Sequence, residues 1–451
     1  MNRHGHTEKR GNVLKIAFIG AGSVVFTKNL LTDTFSFPEL RGATVALHDI
    51  APERLETAGM MARWTSDRLG AEAKVEEHAD RRAALDGADF VINAVQIGMH
   101  EATLLDFDIP RKYGLKQTIA DSMGIGGIFR GLRTIPFLLD LARDMREVCP
   151  EALLLNYTNP MGILMEALYT AHPEVKSVGL CHSVQGTARQ ISSYIGIDHE
   201  DLLYECAGIN HIAWMTRLEA GGEDAYPRLF AAMDDPDVYK KDKVRFELMR
   251  RFGFFVTESS EHNAEYLPYF LKDEDLVERY DIPVDEYVRR SEENLVSYAE
   301  TRRKLLAGEE FPLERSVEYG SLIIHSMTTG QARAIYGNVK NTGLITNLPE
   351  GRCVEVPVLV DDTGLRPCHV GDLPPQCAAT CAPHTAVQNL TVRAALEGRR
   401  DHVHHAAMLD RHAPSVLSLD EIAAMVDELI DAHGDTLPEG IRTAEVGRRS
   451  A

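Results

Sequence analysis

Cys181 and His182 sit inside the run Val178-Gly-Leu-Cys-His-Ser-Val-Gln-Gly-Thr187, and His211 closes Gly208-Ile-Asn-His. A thiol and an imidazole at the ends of two apolar stretches are a ligand pair for a divalent cation. Upstream, Gly20-Ala-Gly22-Ser23-Val-Val follows the apolar run Leu14 to Ile19, and Asp49 follows Thr44 to Leu47. In that pattern the first glycine makes a tight turn and the second lets backbone approach a pyrophosphate, while Asp49 accepts from a ribose 2′-hydroxyl. The carboxylate favours NAD over NADP, with Arg54 close by weakening the preference. Val25 stands where a third small residue is common, which widens the helix packing without removing the site. A cation beside a nicotinamide suits redox chemistry on a hydroxyl that the cation polarises.

Other polar residues follow apolar runs in the same way. Asn159, in Asn156-Tyr-Thr-Asn-Pro160, offers a planar amide to sugar-like hydroxyls. Gln117 to Gly127 reads as a flexible, glycine-rich loop carrying one carboxylate, Asp121. The segment Glu258-Ser-Ser-Glu-His-Asn-Ala-Glu-Tyr266-Leu-Pro-Tyr269 concentrates acids and two phenols. The His and Arg pair of conventional dehydrogenases has no clear counterpart. Cys377 and Cys381, with His384 and Cys368, lack the two-residue zinc-knuckle spacing and read as ordinary thiols. Arg289 and Arg290 belong to a charged helix face rather than to a cleft.

Elements that could position these groups are visible as period and punctuation. Apolar runs at Leu14 to Ile19, Thr44 to Leu47, Asp89 to Val95, Ala152 to Leu155 and Lys176 to Leu180 predict strands buried on both faces. Helical patterns at Pro52 to Gly70 and Leu132 to Val148 alternate with them, giving a doubly wound α/β, parallel-sheet fold. Beyond residue 200 the alternation becomes irregular, with a charged helix over Val284 to Ala307, a β-like run over Arg333 to Val358 and a helix over Leu419 to His433. At 451 residues the chain exceeds one simple core, so two domains are expected, 12–200 and 201–451. Acidic residues outnumber basic ones, 68 to 48, and a net charge of −20 repels nucleic acid and anionic membranes. Met1 to Asn12 lacks an apolar signal core, no stretch reaches membrane-span length, and seven dispersed cysteines suggest reduced thiols. A cytoplasmic protein is expected.

Several blocks together resemble the NAD- and metal-dependent glycosidases of glycoside hydrolase family 4, and most of all its melibiose-hydrolysing α-galactosidases. They are Phe18-Ile-Gly-Ala-Gly-Ser23, Asn156-Tyr-Thr-Asn-Pro160, Leu180-Cys-His-Ser-Val-Gln-Gly-Thr187, Ala207-Gly-Ile-Asn-His211 and Val256-Thr-Glu-Ser-Ser-Glu-His262. The resemblance runs from about Lys15 to His433 and implies a Rossmann-like sheet of the lactate/malate dehydrogenase kind, followed by an α+β catalytic and oligomerisation domain. It implies hydrolysis of a terminal unphosphorylated α-galactoside through NAD-dependent oxidation at C3, elimination across C1 and C2, water addition and re-reduction. Such enzymes stand outside the two-carboxylate scheme of most glycosidases. By the same resemblance Cys181 and His211 bind Mn²⁺ or another divalent metal, and Gly20, Gly22, Ser23 and Asp49 hold NAD. Asn159 and His182 contact the sugar, His182 protonates the leaving group with Asp121 in reserve, and Tyr266 is the base at C2. Val95 to His100 carries no Arg where phospho-sugar relatives have one, which favours an unphosphorylated glycoside. A homodimer or homotetramer acting on a small α-glycoside is expected, with α-glucosidase, α-glucuronidase or a lactate/malate-type dehydrogenase as the alternatives.

Overall fold

The computed structural model describes residues 13–443; Met1 to Asn12 and the segment after Thr443 lie outside the described residues. A 13-stranded mixed sheet runs through the molecule. Its strands are β1 (Lys15–Ile19), β2 (Thr44–His48), β3 (Lys74–His78), β4 (Phe90–Asn93), β5 (Leu153–Asn156), β6 (Ser177–Gly179), β7 (Leu202–Ile209), β8 (Ile212–Ala220), β9 (Glu223–Asp224), β10 (Phe255–Val256), β11 (Arg333–Lys340), β12 (Cys353–Asp361) and β13 (Gly364–Pro367). The first six are parallel in the order 3-2-1-4-5-6, the dinucleotide-binding arrangement. From β6 onward the sheet continues through β11, β12, β7, β8 and β10 with antiparallel pairing. The α/β Rossmann-like fold with an α+β C-terminal half is therefore present.

Strands β1, β2, β4 and β5 coincide with the apolar runs because helices cover both faces, leaving little reason for alternation. Strand β3 was not expected. It reads Lys-Val-Glu-Glu-His, lies at the sheet edge and is only partly buried, so it carries no apolar run. The β-like run at Arg333 to Val358 resolves into two strands, β11 and β12, paired antiparallel. A helix expected to begin at Leu132 begins at Gly124 and runs to Val148.

The predicted flexible loop over Gln117 to Gly127 is instead part of the core. Residues Gln117 to Met123 are buried except Lys116 before them, and Glu265 accepts the backbone N–H groups of Thr118 (2.8 Å), Ile119 (3.2 Å) and Ala120 (2.8 Å). Its glycines serve close packing rather than mobility: a Cβ at Gly126 would stand 2.5 Å from the Ala120 carbonyl oxygen. One apolar cluster joins Ile16 and Phe18 of β1 to Trp214 of β8 and Val356 of β12, so the core crosses residue 200 without a break.

Candidate active site

Cys181 is the second residue after β6, and His211 occupies the two-residue turn between β7 and β8, where Ile209 pairs with Ile212. These two strand ends bring Cys181 Sγ to 3.3 Å from His211 Nε2. Glu258, just past β10, adds Oε2 at 3.6 Å from His211 Nε2, and the three side chains can each aim a ligand atom at one point. His211 and Glu258 have φ of +67° and +75°, conformations that cost non-glycine residues about 1–3 kcal/mol each and persist where a site needs them. Burial pushes the Cys181 thiol up to about 12, and Glu258 adds to the rise. Burial alone would raise Glu258 too, yet His262, His211 and His182 hold it below its ordinary value. A buried imidazole with a half-buried thiol and carboxylate that converge in this way fit a divalent cation, which would stabilise the thiolate.

Behind these three side chains lies a second ring of polar groups. His262 Nδ1 stands 2.9 Å from Ser259 Oγ and 3.4 Å from Glu258 Oε1, and its ring packs edge-on against His211. Tyr266, fully buried, places its hydroxyl 3.1 Å from His211 Nδ1. If Nε2 served a cation, Nδ1 would carry the proton and donate to the phenol oxygen, which would favour the phenolate. Without that cation, burial and the carboxylates of Asp121, Glu265 and Glu258 hold the Tyr266 phenol well above its ordinary value.

Asp121 accepts from Ser122 Oγ at 2.8 Å through one oxygen and from Asn159 Nδ2 at 3.0 Å through the other. Burial would raise its carboxyl, but Arg130 and His262 outweigh that and hold it below the usual range. A carboxylate arranged to accept on both oxygens is a poor proton donor. Asn159 Oδ1 remains buried without a hydrogen-bond partner, as do both amide atoms of Asn210 next to His211. His182 stands at the N-cap position of the helix Ser183–Ile195 with its ring exposed and Nδ1 3.2 Å from Glu318 Oε1. The Glu318 hydrogen bond, above all, raises His182 to about 10, an attraction that water screens in part because the ring is open.

The nucleotide loop lies at the carboxyl end of β1. Gly20 has φ of +84° and Ser23 caps the helix Val24–Phe35, whose first N–H groups face the loop. Asp49 follows β2 directly and accepts from Gly22 N at 2.9 Å and Ala51 N at 2.9 Å. A Cβ at Gly22 would stand 2.4 Å from Asp49 Oδ2, so only glycine lets the loop fold over this carboxylate. Arg54 donates to Gly22 O at 3.2 Å and stacks over the Tyr298 ring.

The geometry thus unites Cys181, His211, Asp121, Asn159, His182 and Tyr266 at one sheet edge, and adds Glu258, Asn210 and Glu318. Glu258 was within a segment already noticed, and Asn210 adjoins a predicted ligand; Glu318 had no sequence signal because its partner lies far along the chain. Arg289 and Arg290 pair with Glu286, as a solvated helix face would. Cys377, Cys381 and His384 are buried on the helix Pro375–Glu397 and Cys368 is exposed, all as free thiols where cysteine. The loop after β4 carries no Arg of its own, but Arg133 reaches beneath it to Ile97 O at 3.1 Å while paired with Asp106.

Two sequence families match almost the whole chain: family 4 glycosyl hydrolase over residues 15–197 and the family 4 glycosyl hydrolase C-terminal domain over residues 206–413. The chain is 45% identical to an α-galactosidase of Bacillus subtilis, covering 94% of this chain and 99% of that protein. It is 37% identical to an α-galactosidase of Rhizobium meliloti, covering 94% and 89%. Among solved structures, a 6-phospho-α-glucosidase from gut microorganisms in complex with NAD and Mn²⁺ superposes with a TM-score of 0.79 at 21% identity, over 95% of this chain and 100% of that one.

Proposed function

The chain belongs to family 4 of the glycosyl hydrolases, and from that premise we propose that it hydrolyses terminal, unphosphorylated α-galactosides with NAD and a divalent metal, Mn²⁺ in the first instance. The observation that carries this reading is the convergence of Cys181, His211 and Glu258 on one point. It stands beside the amides of Asn159 and Asn210, whose unpartnered atoms suit a polyhydroxylated ligand. Both α-galactosidase relatives span nearly the full chain, which favours galactosides over the α-glucosidase, α-glucuronidase and dehydrogenase alternatives.

When bound, the nicotinamide and the metal supply reversible oxidation at sugar C3 and the polarisation that acidifies the C2 proton. Gly20, Gly22 and Ser23 would cradle the pyrophosphate, and Asp49 the adenosine ribose. Cys181, His211 and Glu258 would hold the metal, with sugar oxygens completing its shell. Tyr266, as the phenolate that accepts a hydrogen bond from His211 Nδ1–H, would take the proton from C2. His182, kept cationic by Glu318, protonates the departing oxygen, while Asp121 fixes Asn159 against the sugar.

A homodimer or homotetramer is supported by the helix Glu286–Leu306, which buries only Thr301 of its residues and exposes Leu295, Val296 and Leu306. A cytoplasmic setting suits the free cysteines, Cys181 above all, and no described helix is long and apolar enough to cross a membrane. A two-domain division near residue 200 is supported by the change from parallel to antiparallel pairing, although one core spans it. Hydrolysis of nitrophenyl α-galactoside is expected to vanish on stripping NAD and metal and to return when both are restored. Hydrolysis indifferent to both would sink the proposal, and faster cleavage of the matching α-glucoside or α-glucuronide would reassign the sugar.

A further inference from the structure

A second cleft, of about 430 Å³, opens beside His182 and is lined by Gln185, Arg189, Tyr204, Glu318, Ser321 and Tyr336 among others. Its size falls within the roughly 300–1,000 Å³ of small-molecule sites. Two features join it to the catalytic cleft. Glu318 lines it while holding His182 Nδ1 at 3.2 Å. Residues 182, 185 and 189 are spaced three and four apart from the start of the helix Ser183–Ile195, so they share one face that leads from the proton donor into the cleft.

The polar atoms in this wall are prepared for a ligand. Gln185 donates through Nε2 to Val317 O at 3.0 Å, which fixes its amide and leaves Oε1 buried without a partner. Ser321 Oγ and Glu318 Oε2 are likewise buried and unpartnered. Such groups are costly unless something bonds to them. Tyr204 and Tyr336 stack with ring centroids 5.7 Å apart and form an aromatic floor. Among the described residues Arg189 has no ion-pair partner, and its guanidinium is exposed.

We propose that this cleft is the aglycone site, built for the second sugar of a di- or oligosaccharide. The inference rests on the α-galactosidase reading and adds to it. Acceptors on Gln185 and Glu318, a hydroxyl on Ser321 and donors on Arg189 match a ring of hydroxyls, and stacked phenols match an apolar sugar face. The wall carries both signs of charge, Arg189 and Arg315 against Asp33 and Glu318, which suits a neutral, polyhydroxylated occupant. An aglycone leaving with the oxygen that His182 protonates would enter the space that Glu318 borders.

The test compares melibiose with α-galactosyl fluoride, which carries the same glycone but no second sugar, on the holoenzyme. In Arg189→Ala, an exposed position that leaves the fold intact, kcat/KM for melibiose is expected to fall roughly tenfold further than for the fluoride. Gln185→Leu, which keeps the apolar volume and removes the acceptor, is expected to show the same bias. Equal losses on the two substrates, or a raised NAD requirement with no substrate bias, would overturn the aglycone assignment while leaving the enzyme an α-galactosidase. An unaltered holoenzyme inert to both substrates would overturn the functional reading itself, and this inference with it.

Discussion

Glu258 holds a left-handed backbone conformation next to His211, itself left-handed, and its carboxylate is kept ionised by three surrounding imidazoles. Both features make sense for a third metal ligand. Glu258→Ala is expected to weaken Mn²⁺ binding by at least about tenfold, measured by titration with the metal alone. Unchanged affinity in a folded variant would reduce Glu258 to an electrostatic neighbour. At this scale the sequence was legible where a motif is contiguous: Cys181, His182, His211 and Asn159 each follow a strand closely enough for the cleft to be inferred. Glu258 stood in a segment marked for its acids, but which of several acids turns inward is fixed by the backbone after β10, and no periodicity encodes that. The surroundings of Asp121 were not legible, because Arg130 and His262, which with other groups offset its burial and hold its carboxyl low, come from other elements.

Elements place these residues through close contacts that tolerate little added volume. Gly22 folds against Asp49 with no room for a Cβ, so Gly22→Val is expected to abolish detectable NAD binding in calorimetry while the circular dichroism spectrum stays native. Tight NAD binding by that variant would remove the loop from the cofactor site. Strands buried on both faces were visible as apolar runs, and the helix Leu419–His433 was bounded correctly because Ser418 and Glu421 form a capping box at its start. Strand β3 escaped notice because an edge strand with one solvated face can be mostly charged. The Gln117 to Gly127 segment misled for a physical reason: glycine signals either mobility or close approach, and here Glu265 and the following helix select close approach.

Across the whole molecule, distant segments are tied together by buried polar links as well as by the shared core. Arg133 pairs with Asp106, and His433 at the end of the helix Leu419–His433 reaches the same carboxylate at 2.9 Å. Asp106→Ala leaves a buried guanidinium uncompensated and is expected to cost about 3–5 kcal/mol, read as a lower denaturant midpoint. A midpoint within error of the unaltered protein would show that water or a rearranged partner satisfies Arg133. The antiparallel extension of the sheet beyond β6 was not legible, since β11 and β12 join the parallel half through pairings far apart in sequence. That extension carries His211 and Tyr266 to the NAD-binding edge, and with them the claim that cleavage proceeds by oxidation and elimination rather than by direct displacement at C1. Turnover of an α-galactoside by the NAD- and Mn²⁺-loaded enzyme in D₂O, followed by NMR of the released galactose, tests this most directly. The account predicts deuterium at C2 of the product, because the C2 proton is lost to Tyr266 and replaced from solvent; galactose that keeps its original hydrogen at C2 would contradict it.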